Sequence, residues 1–461
     1  MSTRPNILVL FSDQQRWDTL GCYGQKLDVS PNLDQMAAEG VRFENVFTCQ
    51  PVCGPARSCL QTGKYATETG CFRNNIGLPW HEKTIAHYLS DLDYEVGYIG
   101  KWHLASTGSY HTFRPGSPEE KSEENYQTKP IPPARRGGYK DFWLAADVLE
   151  FTSHGYGGHL FDSEMKRVDF QGYRVDYLTD VALEYLHNRS DQKPFFLFLS
   201  FVEPHHQNDH RRYEGPEGSR ERFGSFDPPG DLKALEGDWP QQYPDYLGCC
   251  ASIDYNLGRI RSKLAELGLD DNTVILYTSD HGSHFRTRNK KLENGNIDDY
   301  KRSCHDSSIR VPMIAYGDCF KGGKVIQEMV SLMDVPPTIL NCAGAEKPKV
   351  MKGRPLQQLV SGKPEQWQNE IFFQISESQV GRGIRTEKWK YAVYAPGKSG
   401  ITDSSSDVYI ENFLYDLEND PYELTNLVSS PEHVEVRREL ARRLTRRMIE
   451  ANESPPRIES A

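Results

Sequence analysis

The feature that most constrains this chain is a recurring unit, an apolar run that ends abruptly in polar residues. Ile7-Leu8-Val9-Leu10-Phe11 runs into Ser12-Asp13-Gln14, Phe195 to Phe201 precedes Glu203-Pro204-His205-His206, and Thr273 to Thr278 precedes Ser279-Asp280-His281-Gly282. A strand that is apolar at every position is buried on both faces, as in a parallel sheet covered by helices. Open α/β sheets bind ligands beyond the carboxyl ends of their strands, so three clusters distant in sequence can meet at one point.

Between these runs, Tyr173 to Asn188 and Gly248 to Leu267 place apolar residues at three- and four-residue intervals, the helical period. The alternation predicts an α/β fold, with a mixed, mostly parallel sheet flanked by helices. At 461 residues the chain exceeds one ordinary core. After about Pro364 the pattern changes to strand-like Glu370 to Ile375 and Trp389 to Tyr394, then a charged helix from about Pro431 to Glu450. The expected organisation is a catalytic domain over 1–364 and a smaller C-terminal α+β domain with an antiparallel sheet over 365–461. Ser106 to Tyr139 and His206 to Tyr243, rich in Pro, Gly and charge, read as long loops near a pocket.

A net charge of -11 argues against nucleic acid and anionic membranes as partners. The ten cysteines show no paired metal-ligand spacing, and Cys249 and Cys250 are adjacent, so they read as mostly reduced. The first apolar run is too short for a signal-peptide core or a membrane span. As written the chain reads as cytoplasmic; one trimmed of a secretory signal would look the same.

The sharpest motif is Cys53-Gly54-Pro55-Ala56-Arg57, followed by Ser58-Cys59-Leu60-Gln61-Thr62-Gly63. Here the chain resembles the type I sulfatases of the alkaline-phosphatase superfamily, whose Cys-x-Pro-x-Arg segment is oxidised at cysteine to formylglycine by a maturation enzyme. Matching segments run from Pro5 to about Leu427. The resemblance implies that the hydrated aldehyde would supply two hydroxyls on one carbon, one to attack sulfur and one to expel sulfate.

It implies further that Asp13 and Gln14, with Asp280 and His281, hold one divalent cation beside residue 53. An oxygen-rich set suits calcium, with magnesium or manganese as alternatives. Gln14 stands where many relatives carry a second aspartate. Lys101 and His103, in Gly100-Lys101-Trp102-His103-Leu104, would hold the two hydroxyls, with His103 as proton acceptor. Arg57 would orient the nucleophile. His205 and Lys301 would contact sulfate and the leaving-group oxygen, and His206 and Arg310 would line the substrate side.

The implied activity is hydrolysis of sulfate monoesters, with a sulfated carbohydrate such as a glycosaminoglycan fragment as the expected substrate. The loops Arg135 to Tyr139, Ser153 to Tyr156 and His206 to Asn208 offer suitable polar and aromatic groups. The rival readings are a phosphonate or phosphate monoester hydrolase of the same superfamily, an aryl sulfatase without sugar preference, and a noncatalytic binding protein. Retention of Cys53, Arg57, Lys101, His103 and Lys301 speaks against the last. Oligomeric state is left open by the sequence.

Overall fold

The computed structural model describes residues 4–108, 124–189, 192–288, 299–362 and 367–461. The expected domain boundary at 364/365 lies outside these residues, as does 109–123 of the first long loop.

Eleven strands form the large sheet: β1 (Asn6–Ser12), β2 (Val41–Phe47), β3 (Glu95–Lys101), β4 (Phe142–Ala146), β5 (Tyr156–Asp162), β6 (Arg167–Tyr173), β7 (Phe195–Ser200), β8 (Thr273–Ser279), β9 (Arg310–Val311), β10 (Met313–Tyr316) and β11 (Lys324–Ser331). Their order is β11-β2-β10-β8-β1-β7-β3-β4-β5-β6, with β9 on β2. The central block β8-β1-β7-β3-β4 is parallel throughout. Within this sheet, β5, β9 and β10 run against the other eight strands. The sheet is therefore mixed and mostly parallel.

Its two faces follow from the period of two along each strand. Ile7, Val9, Phe11, Phe196, Phe198, Val274 and Leu276 fall into one core, with Leu60, Ile85, Leu89, Ile339 and Leu340 from the helices on that side. The alternate residues Leu8, Leu10, Leu197, Leu199, Ile275 and Tyr277 join the other core, under Leu33, Leu178, Ile253 and Leu257. The helices Arg174–Asn188 and Trp239–Glu266 cover the stretches read as helical except for Tyr173 and Leu267 at their caps; the second begins earlier than its apolar period shows and contains Pro244.

The second sheet has the order β12 (Glu370–Ile375), β13 (Gly381–Thr386), β14 (Trp389–Tyr394), β15 (Val408–Asp416) and β16 (Arg457–Glu459), antiparallel except for the β15–β16 pair. Helix Val434–Glu450 buries Leu440, Leu444 and Met448 against it, in a core shared with Cys49, Cys59 and Tyr65 of the large domain. The small sheet thus backs the helix that begins at Cys53. All ten cysteines carry free thiols. Among the described residues, no helix is long and apolar enough to cross a membrane.

Candidate active site

Each strand of the central block delivers polar side chains at its carboxyl end. Asp13 and Gln14 follow β1, Lys101 ends β3 with His103 just beyond, His205 follows β7, and Asp280 and His281 follow β8. Cys53 opens helix Cys53–Thr62, whose N-terminal dipole favours a thiolate, and Arg57 lies one turn later. The carboxyl ends of parallel neighbours lie side by side, which is how residues so far apart in sequence converge.

At the centre, Cys53 Sγ lies 3.4 Å from Asp13 Oδ1 and 3.3 Å from His281 Nε2. On another side, the Lys301 ammonium donates to Sγ at 3.0 Å and to His205 Nε2 at 3.0 Å. Nδ1 of His205 is a buried nitrogen with no hydrogen-bond partner among the described residues. Burial would push the Cys53 thiol up, but Lys301, Lys101 and His281, with a hydrogen bond from His103, outweigh it and hold the thiol well below its ordinary range. Position 53 thus stands between the Lys301 ammonium on one flank and the Asp13 carboxylate on the other.

Asp13 and Asp280 are fully buried. Burial and the neighbouring Cys53 push the Asp13 carboxyl up, while Lys101, His205 and Arg57 bring it below its usual range. Asp280 is raised, by burial and by Asp13 beside it. His281 Nδ1 lies 2.9 Å from the Gly282 carbonyl, which can only accept, so Nε2 is the ring nitrogen available to a cation. That nitrogen stands 3.7 Å from Asp13 Oδ1 and 3.6 Å from Asp280 Oδ1. Asp280 Oδ2 has no hydrogen-bond partner among the described residues. Acceptors turned toward one another beyond hydrogen-bonding reach, yet within the roughly 3–4 Å that separates ligands of a common ion, fit a divalent cation.

Gln14 enters through its backbone, donating N–H to Asp280 Oδ1 at 3.0 Å, in a left-handed conformation with φ 67°. Its side-chain amide donates to the Tyr213 hydroxyl at 2.9 Å. Arg57 reaches the carboxylates rather than the thiol, at 3.0 Å to Asp13 Oδ2 and 3.4 Å to Asp280 Oδ2. Lys101, with no exposed surface, bridges Asp13 and Glu150 at 2.8 Å each.

A cavity of about 220 Å³ opens over Cys53, lined by His103, His205 and Lys301 together with Asn74, Asn75, Gln127, Phe151, Asn208 and Tyr300. Two predicted substrate residues are placed elsewhere. Arg310 lies over the Trp17 ring at 3.8 Å and donates to Glu44, because β9 runs antiparallel to β2 and turns the guanidinium to that flank. His206 stacks on Tyr300 at 4.5 Å, behind the wall. The Arg135 to Tyr139 loop also serves structure: Arg136 lies over Trp143 and donates to backbone carbonyls, and the buried Tyr139 hydroxyl bonds Gln61.

Two site residues were missed in the sequence. Glu150 follows β4 in a short helix, and Glu377 follows β12, where it accepts from the Asn74 N–H at 2.7 Å and from Arg302 at 2.6 Å. Both obey the strand-then-polar pattern, after β4 with five residues and β12 with six.

A buried nucleophilic position set between cations on one flank and a metal-capable carboxylate pair on the other handles an anion, which defines the class as metal-assisted hydrolases of anionic esters. Residues 5–345 match the sulfatase family, and residues 293–450 match the C-terminal region described as N-sulphoglucosamine sulphohydrolase. The chain belongs to the sulfatase family and is a sulfuric ester hydrolase. It is 27% identical to an ulvan-active sulfatase of Formosa agariphila, over 97% of this chain and 82% of that protein. It is 24% identical to an N-acetylglucosamine-6-O-sulfatase of Bacteroides thetaiotaomicron, over 98% and 88% respectively. Among solved structures, the yidJ sulfatase of Bacteroides fragilis superposes with a TM-score of 0.80 at 25% identity, covering 98% of this chain and 96% of that one. Membership implies formylglycine and a divalent metal, and the buried Asp13, Cys53, Asp280 and His281 group is able to hold one.

Proposed function

We propose that this sulfatase removes sulfate from carbohydrate esters, with Cys53 matured to formylglycine by a dedicated enzyme and calcium held by Asp13, Gln14, Asp280 and His281. The observation that carries this reading is the position of Cys53 between His281 and Asp13 on one flank and Lys301 on the other. When present, the aldehyde hydrate supplies a paired-hydroxyl nucleophile and the cation supplies Lewis acidity toward a sulfate oxygen.

The chain's own residues do the rest. Lys301 and His205 are placed to neutralise charge on the sulfate and the departing oxygen, the largest kind of contribution such sites make. His103, in the cavity wall with a buried Nδ1 lacking any hydrogen-bond partner among the described residues, takes up a hydroxyl proton. Lys101 and Arg57 hold Asp13 at 2.8 and 3.0 Å and so fix the carboxylate geometry.

A carbohydrate substrate is supported by the cavity lining, where the side-chain amides of Asn74, Asn75, Gln127 and Asn208 are able to donate and accept, and Phe151 and Tyr300 add aromatic surface. Two of the relatives are named for carbohydrate sulfates. A panel of sulfated mono- and disaccharides run beside nitrophenyl sulfate, on protein whose Cys53 conversion has been verified by peptide mass, tests the proposal. Release of sulfate from at least one sugar with higher kcat/KM than from the aryl ester is expected. Fully converted protein that cleaves only the aryl ester would remove the carbohydrate reading.

A further inference from the structure

The small sheet reaches the catalytic site through the segment that follows β12. Glu377, on that segment, is buried and takes a left-handed backbone conformation with φ 64°, which a residue with a side chain adopts at a cost the surrounding structure must offset. Its two carboxylate oxygens accept from different partners: Oε1 from the Asn74 N–H at 2.7 Å and Oε2 from Arg302 Nε at 2.6 Å. Each partner sits one step from a group at the centre of the site. Asn74 Oδ1 accepts from the Gly54 N–H at 2.9 Å, and Gly54 adjoins Cys53 at the start of its helix. Arg302, itself left-handed at φ 68°, adjoins Lys301, whose ammonium lies 3.0 Å from Cys53 Sγ. Neighbouring contacts close the ring: Ser378 Oγ donates to the Arg302 carbonyl at 2.8 Å, and the Arg302 N–H donates to the Pro51 carbonyl at 3.2 Å.

We propose that Glu377 is a positioning residue for sulfate ester hydrolysis, through which the small sheet sets the separation between residue 53 and Lys301. The assignment rests on the roles given above to those two residues and is independent of any sugar preference. Only a carboxylate accepts from both donors at once. An amide in its place turns an NH2 toward either the Asn74 N–H or the Arg302 guanidinium, whichever way it is flipped, so one of the two links is lost. The nucleophilic position and the cation then lose their common anchor, and a displacement of about 1 Å at a reacting pair is able to cost about 100-fold in rate. Glu377 bonds two residues of the cavity lining, Asn74 and Arg302, and is not itself among the described residues that line it, so binding of a small aryl sulfate does not depend on it.

The test measures kcat and KM for nitrophenyl sulfate in wild type, Glu377→Gln and Glu411→Gln, per chain whose Cys53 is converted as counted by peptide mass. Glu411 is a matched control, a buried carboxylate of the same sheet that accepts from Arg437 Nε at 2.9 Å and from the Tyr391 hydroxyl at 3.1 Å. Glu377→Gln is expected to lower kcat by about 10- to 100-fold with KM nearly unchanged. Glu411→Gln is expected to lower Tm and leave kcat at the wild-type value. Wild-type kcat in Glu377→Gln, a change in KM alone, or equal losses of kcat in the two variants would overturn the proposal. Fully converted wild type that cleaves no sulfate ester would instead remove the roles of residue 53 and Lys301, and the proposal with them. Should Glu377→Gln fold poorly, Glu377→Asp falls one methylene short of the same two donors and is judged by the same criteria, a lowered kcat at unchanged KM being expected.

Discussion

Lys301 places its ammonium 3.0 Å from the Sγ of Cys53, although 248 positions separate the two in the chain. Lys301 approaches on the segment between β8 and β9, and Cys53 is presented by a helix N-terminus, so the contact exists only when the large sheet is assembled.

Replacing Lys301 by alanine is expected to lower kcat/KM for any sulfate ester by about 100-fold or more, the usual cost of losing one preorganised donor. The rest of the site rests on contacts Lys301 does not make, so calcium-dependent thermal stabilisation should survive. Steady-state kinetics paired with a calcium melt series separates this outcome from simple misfolding.

Burial, and the like charge of Asp13 beside it, raise the Asp280 carboxyl above the ordinary range. Asp280→Asn relieves that repulsion while removing a ligand charge. The metal-free variant is therefore expected to melt no lower than metal-free wild type, yet to bind calcium at least about tenfold more weakly. Differential scanning fluorimetry with and without calcium reads both effects, since a ligand that binds only the folded state raises its Tm.

Glu150 offers a sharper test of positioning. Its carboxylate, brought down to about 2 because Lys101, His205 and His103 outweigh the effect of burial, bonds Lys101 at 2.8 Å. Glu150→Gln leaves the shape and removes the charge that opposes Lys101. A loss of about 10- to 100-fold in kcat is expected, with KM nearly unchanged, as for residues that act through another group. A KM effect alone would assign Glu150 to substrate contact.

How far the sequence foretold this arrangement depended on the length of each signal. β1, β7 and β8 are long, apolar at nearly every position, and end in polar residues, so both the strands and the side chains they deliver could be read directly. β9 has two residues and β10 four, too few to show a period, and it is these strands, with β5, that make the sheet mixed. Arg310 went astray for the same reason: its spacing from Lys301 carries no information about the antiparallel pairing with β2 that points it at Trp17. Arg57 was expected to orient the nucleophile; from the second turn of its helix it lies 3.0 Å from Asp13 Oδ2 and 3.4 Å from Asp280 Oδ2, beside that position. Which group a long cationic side chain reaches is decided by tertiary packing, and the motif alone does not encode it.

Gly100 bears the tightest backbone approach at the site. It pairs with Ser200 across β3 and β7 at φ +103°, and a Cβ there would fall 1.9 Å from the Ser200 carbonyl oxygen. Gly100→Ala would force apart the strands that carry Lys101 and the His205 loop. A loss of more than about 3 kcal/mol is expected, combining steric overlap with a disfavoured φ. A lowered urea midpoint or loss of soluble protein would register it, and an unchanged midpoint would mean that the strands yield more easily than this packing implies.

His206 sets an acid limit. Burial, opposed by its hydrogen bond to Asn208 and reinforced by His205, holds the imidazole down at about 4, against about 6.5 in an unfolded chain. Between those two values the unfolded state binds the extra proton and the folded state does not, so stability rises with pH across the window and falls on acidification. The stabilising contribution is complete above pH 6.5 and lost by pH 4, and it amounts to about 3 kcal/mol at most. His206→Phe keeps a ring against Tyr300, which His206 stacks on at 4.5 Å, and removes the titration. The difference in urea midpoint between wild type and His206→Phe should therefore shift in favour of the variant as pH is lowered from 7 to 4.5. A difference that stays constant over that range would show that His206 binds its proton equally well in both states.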